Sequence, residues 1–254
     1  MSSVPTAEGH IYEIFSGIQG EGLLVGERQI FVRFAGCNLN CAYCDTPAAR
    51  VATDTCRIEH TAGLRDFTAA ENPLTGSEVA RYVERLETSP RTHHSVALTG
   101  GEPLVQPQFA ASVARQLKEN GFRIFLETNG SLVDGLSGVL PFADIVSMDV
   151  KLPGTTKGPN LFAEHELFLR KAASTEVYAK VVLSSITSTA EVVQAAEIIQ
   201  AVDSAIPLVL QPVTPQSNVL PPSTAQVLQW QTQCRLRLHS VRVIPQCHKI
   251  MGQL

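Results

Sequence analysis

Two periods of hydrophobic spacing alternate along this chain. Short runs rich in Val, Ile, Leu and Phe predict strands at 29–34 (QIFVRF), 95–98 (SVAL), 123–127 (RIFLE), 144–150 (DIVSMDV), 177–183 (VYAKVVL), 207–211 (PLVLQ) and 240–245 (SVRVIP). Between them, helical spacing predicts helices at 77–88, 107–120, 164–173, 190–202 and 223–238. Ser77 is placed to cap the first helix, and Asn120 followed by Gly121 ends the second. Strand and helix in alternation predict a parallel sheet built of right-handed crossovers, either open or curled into a partial (βα) barrel. Residues 1–254 read as one α/β domain with no internal repeat. The one irregular span, 48–76, is rich in Ala, Thr and Asp and reads as an insertion.

The unusual residues fall just after the predicted strands. GCNLNC follows 29–34, TGGEP follows 95–98, TNGS follows 123–127, KLPGT follows 144–150 and PVTP follows 207–211. In a parallel sheet the carboxyl ends of the strands share one edge, where α/β proteins build their sites. The pattern therefore predicts that these segments meet.

Composition narrows the class of ligand. Hydrophobic residues make up 44% and charged residues 17% of the chain, which is the balance of a globular protein. A net charge of −4 without a Lys or Arg cluster argues against nucleic acid as the partner and favours small-molecule chemistry. No apolar run reaches the ~18–20 residues of a membrane span, and the opening MSSVPTAEGHIYEIF lacks the basic and apolar parts of a secretion signal. The expectation is a cytoplasmic protein without a membrane partner.

A reducing compartment makes clustered cysteines metal ligands or redox groups in preference to disulfides. Three of the six cysteines, Cys37, Cys41 and Cys44, lie within FAGCNLNCAYCDTP; Cys56 reads as an ordinary thiol, and Cys234 and Cys247 are isolated. Three chemistries fit thiols this close. A structural zinc site needs four ligands, usually as two separated pairs, and no second pair is present. A redox dithiol at Cys41 and Cys44 leaves Cys37 unused. An iron–sulfur cluster held by three cysteines leaves one iron open, whereas electron-transfer clusters normally have four protein ligands.

The spacing C-x3-C-x2-C, with Tyr43 before the third cysteine, resembles the signature of the radical S-adenosylmethionine (SAM) superfamily, and TGGEP at 99–103 resembles its GGE segment. The resemblance implies a partial barrel of about six to seven mainly parallel strands, a 4Fe-4S cluster on Cys37, Cys41 and Cys44, and SAM on the open iron. Within the superfamily, the stretch EIFSGIQGEGLLVGERQIFVRFAGCNLNCAYCDTP, followed by TGGEP, ETNGS, SMDVKLPGT and QPVTP, resembles the 7-carboxy-7-deazaguanine synthase family along nearly the entire chain. That family converts 6-carboxy-5,6,7,8-tetrahydropterin into 7-carboxy-7-deazaguanine with release of ammonia.

Carried over residue by residue, the resemblance implies that Ile18, Gln19, Gly20 and Glu21 contact the pterin and that Arg33 binds its carboxylate. It places Thr99 and His248 against substrate and Thr46 on a Mg²⁺ ion. SAM contacts are implied for Tyr43, Cys44, Asp45, Gly101, Glu102, Ser147, Asp149, Lys151 and the run Gln211, Pro212, Val213 and Thr214. No side chain is assigned as an acid, base or nucleophile. An electron donor such as flavodoxin and a homodimeric assembly are also implied. Each residue has a bland reading too: Gly100–Gly101 and QGEG as turns, Arg33 as a strand charge, Thr46 as a loop end and His248 as surface. A glycyl-radical activase, sharing the cysteine spacing, and a zinc-stabilised binding module without catalysis are the competing functions.

Overall fold

A computed structural model describes residues 7–215 and 219–253; Leu254, to which no contact is assigned, lies outside the described residues. The chain opens with β1 (Glu8–Gly9), β2 (Ile11–Ile18) and β3 (Arg28–Phe34), and after the cysteine loop come β4 (Thr55–Glu59), β5 (Phe67–Glu71) and β6 (Leu74–Thr75). Strands and helices then alternate: α1 (Gly76–Leu86), β7 (Ser95–Gly100), α2 (Pro107–Glu119), β8 (Ile124–Thr128), α3 (Val133–Val139), β9 (Ile145–Asp149), α4 (Pro153–Thr156) and α5 (Phe162–Ala172). The chain continues through β10 (Glu176–Leu183), α6 (Thr189–Val202), β11 (Leu208–Pro212), α7 (Thr224–Arg235), β12 (Val241–Val243) and α8 (Cys247–Met251). No described helix is long and apolar enough to cross a membrane.

All seven predicted strands form, and they are the parallel run β3-β7-β8-β9-β10-β11-β12. The sheet is nonetheless larger than expected, with ten strands, because β2 pairs antiparallel with β3, β4 lies parallel beside β2, and β5 closes the edge antiparallel to β4. The span 48–76 is thus not irregular. Its β5 is mostly exposed and built of Phe, Thr, Ala and Glu, so pairing with β4, rather than an apolar pattern, makes it a strand. β2 escapes the periodic reading for the opposite reason: it is buried along nearly its whole length, and its Glu13 and Ser16 are buried polar residues.

All five predicted helices form within a few residues of their expected bounds. The cap of α1 is Thr75, not Ser77. Thr75 accepts from the Glu78 backbone while the Glu78 carboxylate accepts from the Thr75 backbone, and this reciprocal box satisfies two donors at the helix start. α3 was not foreseen. Its sequence VDGLSGV carries two glycines, which place its backbone against Leu104 and Ala111 beside α2.

Strand periodicity divides the side chains between the two faces of the parallel sheet. On one face Ile30, Val32, Val96, Leu98, Ile124, Leu126, Val146, Met148, Ala179, Val181, Leu208 and Leu210 pack with the helices in the main core. On the other, Phe31, Ala97, Phe125 and Ile145 lie side by side in register, and with Phe15, Tyr178 and Val209 they form a second apolar cluster. Leu23 and Leu24, from the loop between β2 and β3, pack onto this cluster. That loop is closed by backbone hydrogen bonds between Gln19 and Glu27 and from Gly26 to Gln19. It plugs the inner face and leaves a cavity above it.

Candidate active site

One pleat beyond the inner apolar cluster, the same strands change character. Phe31 is followed by Arg33, Ala97 by Thr99, Phe125 by Glu127, Ile145 by Ser147 and then Asp149, Tyr178 by Lys180 and Val209 by Gln211; all of these second residues line one cavity of about 450 Å³. Glu13 on β2, opposite Arg33 in the antiparallel register, completes the ring. Cys37, Cys41, Tyr43, Cys44, Asp45 and Thr46 form its rim, with Gly101 and Glu102 beside them.

The rim loop is held by close backbone packing. Gly101 N donates to Phe34 O at 3.0 Å, Glu102 N to Gly36 O at 2.8 Å and Gly36 N to Ala49 O at 2.8 Å. A Cβ on Gly101 would collide with the Gly36 carbonyl, and Gly100 has φ +128, a conformation that favours glycine. The glycine pair therefore seats the cysteine loop on the end of β7. Glu102 is 1% exposed; its carboxylate accepts from Leu104 N at 3.0 Å, Thr128 Oγ1 at 2.9 Å and Asn129 N at 2.7 Å. Burial still raises its pKa. With three acceptor positions filled of the roughly four a carboxylate offers, about one remains for a ligand.

The three rim cysteines form no disulfide. Burial raises the Cys37 and Cys41 thiols above the ordinary range, an apolar cost that metal binding removes by replacing the proton. Among the described residues, the one group of three or more His, Cys, Asp or Glu side chains with ligand atoms all within 4.8 Å of one another is Glu21, Asp45 and His248. Cys56 and Cys234 are buried in the main core, their thiols raised by burial to about 11 and about 12.

On the β2–β3 side of the cavity, Arg33 Nε donates to Glu13 Oε1 at 2.9 Å and Nη1 to Thr46 Oγ1 at 3.4 Å, while Phe15 lies under the guanidinium with 5.8 Å to the ring centroid. Thr46 Oγ1 donates to Asp45 Oδ1 at 3.1 Å. Asp45 is ringed by Gln246 Nε2 at 3.4 Å, His248 Nε2 at 3.6 Å and Lys249 Nζ at 4.0 Å. Burial opposes its charge, but the nearby His248, Arg33 and Lys249 hold its carboxyl far below the usual range. Gln19 has both ends of its amide on the protein, to Gln29 Oε1 and from Glu21 N, so its side chain shapes the loop. Gly20 lies so close to His248 that a Cβ there would collide with the imidazole residue's backbone, and Cys247 N donates to Gly20 O at 2.8 Å. The C-terminal helix is thereby docked on the plug loop.

The wall beyond β9 holds Lys151, whose Nζ is 2.8 Å from Asp149 Oδ2 and 5.3 Å from the Tyr43 ring centroid. Two buried acceptors in this wall, Asp149 Oδ1 and Gln211 Oε1, have no hydrogen-bond partner among the described residues. Buried acceptors are rarely left so, and an unpaired one marks where a ligand donor belongs. A molecule with ammonium and hydroxyl groups fits them, and SAM has both.

All of the expected site residues except three line the cavity: Pro212, Val213 and Thr214 are outside its wall. Val213 packs with Tyr43 and Val182, and Thr214 N donates to Gln246 Oε1 at 3.1 Å, so this segment backs the wall. The sequence reading passed over Glu13, Glu127, Lys180 and Gln246, all of which line the cavity. Three of them carried a signal, a charge inside an otherwise apolar strand (IYEIF, RIFLE, VYAKVVL).

Comparisons with known proteins agree with this geometry. Residues 31–151 match the Radical SAM superfamily. The chain is 42% identical over 99% of its length to the whole 7-carboxy-7-deazaguanine synthase of Geobacter sulfurreducens, and 39% identical over 97% of its length to 95% of that of Methanopyrus kandleri. The chain belongs to the 7-carboxy-7-deazaguanine synthase family. Its fold resembles the crystal structure of QueE from Escherichia coli, with a TM-score of 0.65 at 20% identity, covering 97% of this chain and all of that one. Membership in this radical SAM family makes the chain an enzyme whose cofactors are a 4Fe-4S cluster and SAM.

Proposed function

We propose that this chain converts 6-carboxy-5,6,7,8-tetrahydropterin into 7-carboxy-7-deazaguanine with release of ammonia. The observation that carries the reading is the convergence on one cavity of the cysteine loop, the GGE segment and Gly20, Glu21, Arg33, Thr46 and His248, the residues that the family resemblance assigns to substrate and Mg²⁺. When bound, the reduced cluster and SAM supply a 5′-deoxyadenosyl radical able to take a hydrogen atom from carbon.

The residues of the chain hold the reactants for that chemistry. Cys37, Cys41 and Cys44 provide three thiolates and leave one metal corner for SAM. Glu102, Ser147, Asp149, Lys151, Gln211 and the Tyr43 ring bind SAM; Asp149 and Gln211 offer their unpaired acceptors to its donors. Arg33 receives the pterin carboxylate, because a guanidinium fork matches a carboxylate in two parallel hydrogen bonds and Glu13 fixes the fork from behind. Glu21 accepts from the amino edge of the pterin, and Ile18, Gly20, Thr99 and His248 form the remaining walls. Thr46 would offer one hydroxyl oxygen to a Mg²⁺ ion, a cation that commonly takes few protein ligands.

The two competing functions fit less well. A cavity of about 450 Å³, lined in part by Gln246, His248 and Gln253, suits a small molecule, whereas an activase must admit a loop of a partner protein. A structural zinc module needs four protein ligands, usually as two pairs, and the cysteine loop supplies three. A cytoplasmic location is supported by the absence of disulfides among the described cysteines. Flavodoxin as electron donor and a homodimeric assembly have the family likeness as their support.

Anaerobic reconstitution tests the proposal. The expected result is about four irons per chain and, with SAM, Mg²⁺ and a reductant, one ammonia released per deazaguanine formed. Stoichiometric zinc, or SAM cleavage without turnover of the carboxypterin, would overturn it.

A further inference from the structure

Lys180 has no part in the ligand assignments above, yet it occupies the middle of the cavity wall. It lies on β10, between Tyr178 of the apolar layer and Val182, and its side chain is 8% exposed. Its ammonium forms an ion pair with Glu21 and lies 3.7 Å from Asp149 Oδ2. Glu21 comes from the plug loop and faces the pterin; Asp149 comes from β9 and faces SAM. One cation thus touches both halves of the site.

The surroundings explain why a cation is required there. Glu21 is faced by Lys180 from β10, by Gln246, whose Nε2 donates to Glu21 Oε1 at 2.8 Å, and by Asp45 and His248, whose ligand atoms lie within 4.8 Å of its own. Glu127 on β8 and Asp149 on β9 add negative charge around the same ammonium, and Lys151 and Arg33 stand further along the wall. Burial, the largest influence, and Asp45 both disfavour the Glu21 carboxylate, and Lys180 together with the Gln246 hydrogen bond outweighs them. Without that cation, a buried carboxyl beside a second carboxylate takes up a proton. It would then donate toward the pterin amino edge, where an acceptor is needed.

We propose that Lys180 is a positioning residue for substrate: its ammonium aims Glu21 as a carboxylate across the cavity and ties it to Asp149 on the SAM side. This rests on the reading that Glu21 accepts from the pterin. A purely structural lysine would fill space and pair charge without affecting the protonation of a ligand-binding group.

The test uses the reconstituted full chain, 6-carboxytetrahydropterin as probe, and anaerobic binding titrations from pH 6 to 9. Lys180→Met keeps the length and apolar stem of the side chain. It is expected to load iron like wild type, to weaken pterin binding at neutral pH by at least about tenfold, and to recover affinity as pH rises and Glu21 ionises. Wild type and Lys180→Arg are expected to show little change across this range. In a Glu21→Gln background, Lys180→Met should have little further effect, because the two act as a unit. Lys180→Met binding as wild type at every pH, or an undiminished Lys180→Met effect in Glu21→Gln, would overturn the proposal. If Lys180→Met fails to load its cluster, Glu21→Gln decides: affinity equal to wild type sinks the inference. A wild-type protein that does not bind the pterin would instead remove the synthase reading beneath it.

Discussion

The two layers of the inner face are built on the same strands, two residues apart, and carry opposite chemistry. The lower layer, Phe15, Phe31, Ala97, Phe125, Ile145, Tyr178 and Val209, is apolar apart from one phenol and is plugged by Leu23 and Leu24. The upper layer, Glu13, Arg33, Thr99, Glu127, Ser147, Asp149, Lys180 and Gln211, is polar throughout and lines the cavity. Phe15 and Phe31 stack with centroids 5.0 Å apart, whereas Glu13 and Arg33 at the neighbouring positions of the same two strands form an ion pair. The lower layer hides its apolar surface on folding and so holds the strands and the plug loop together. The upper layer is free to specialise because the lower one bears the packing.

The comparison predicts that lesions will separate into those that lower stability and those that lower binding. The largest expected effect lies outside both layers, on the rim. Cys41→Ala should remove the cluster and all SAM cleavage while the far-ultraviolet circular dichroism stays that of the wild type; cleavage at an undiminished rate would show that Cys41 is not a ligand.

Within the layers, Phe125→Ala should cost about 3–5 kcal/mol of folding stability, since it empties a fully buried ring site. Denaturant unfolding monitors this, and a loss below about 1 kcal/mol would mean that the lower layer is not a packed core. Arg33→Ala should reverse the pattern. Pterin affinity should fall by about 2–3 kcal/mol, roughly 30- to 150-fold, the value of a charge-assisted bidentate contact, with the cluster still loaded. Unchanged affinity would remove the carboxylate assignment.

The smallest effect is expected for Thr99→Val, which is isosteric and deletes one hydroxyl of the upper layer. Pterin binding should weaken by about 0.5–1.5 kcal/mol with melting temperature little altered. If melting changes more than binding, the upper layer is structural at this position and the division between layers fails there.

Much of the scaffold was legible because it is periodic. The seven parallel strands and five long helices repeat apolar residues at spacings that need no partner to be recognised. β2, β4 and β5 were not legible: β2 is buried on both faces with polar residues at Glu13 and Ser16, and β5 is an exposed edge. The same limit applies to the cap of α1. Thr75 and Ser77 are both good capping residues by type, and only the position of Glu78 three residues after Thr75 makes the reciprocal box.

At the site, the cysteine spacing, the glycine pair and the acid that follows it were legible as local motifs, because ligands for a metal and a close backbone approach are local requirements, and their resemblance to the radical SAM signature pointed to the chemistry. Only the tertiary structure decided that Lys180 pairs with Glu21, 159 residues apart, that Gln246 bridges Glu21 and Asp45, and that Pro212, Val213 and Thr214 stand behind the wall. A strand's sequence gives which side chains share a face, but which charges meet depends on the stagger and curl of neighbouring strands. That arrangement arises only when distant segments pack.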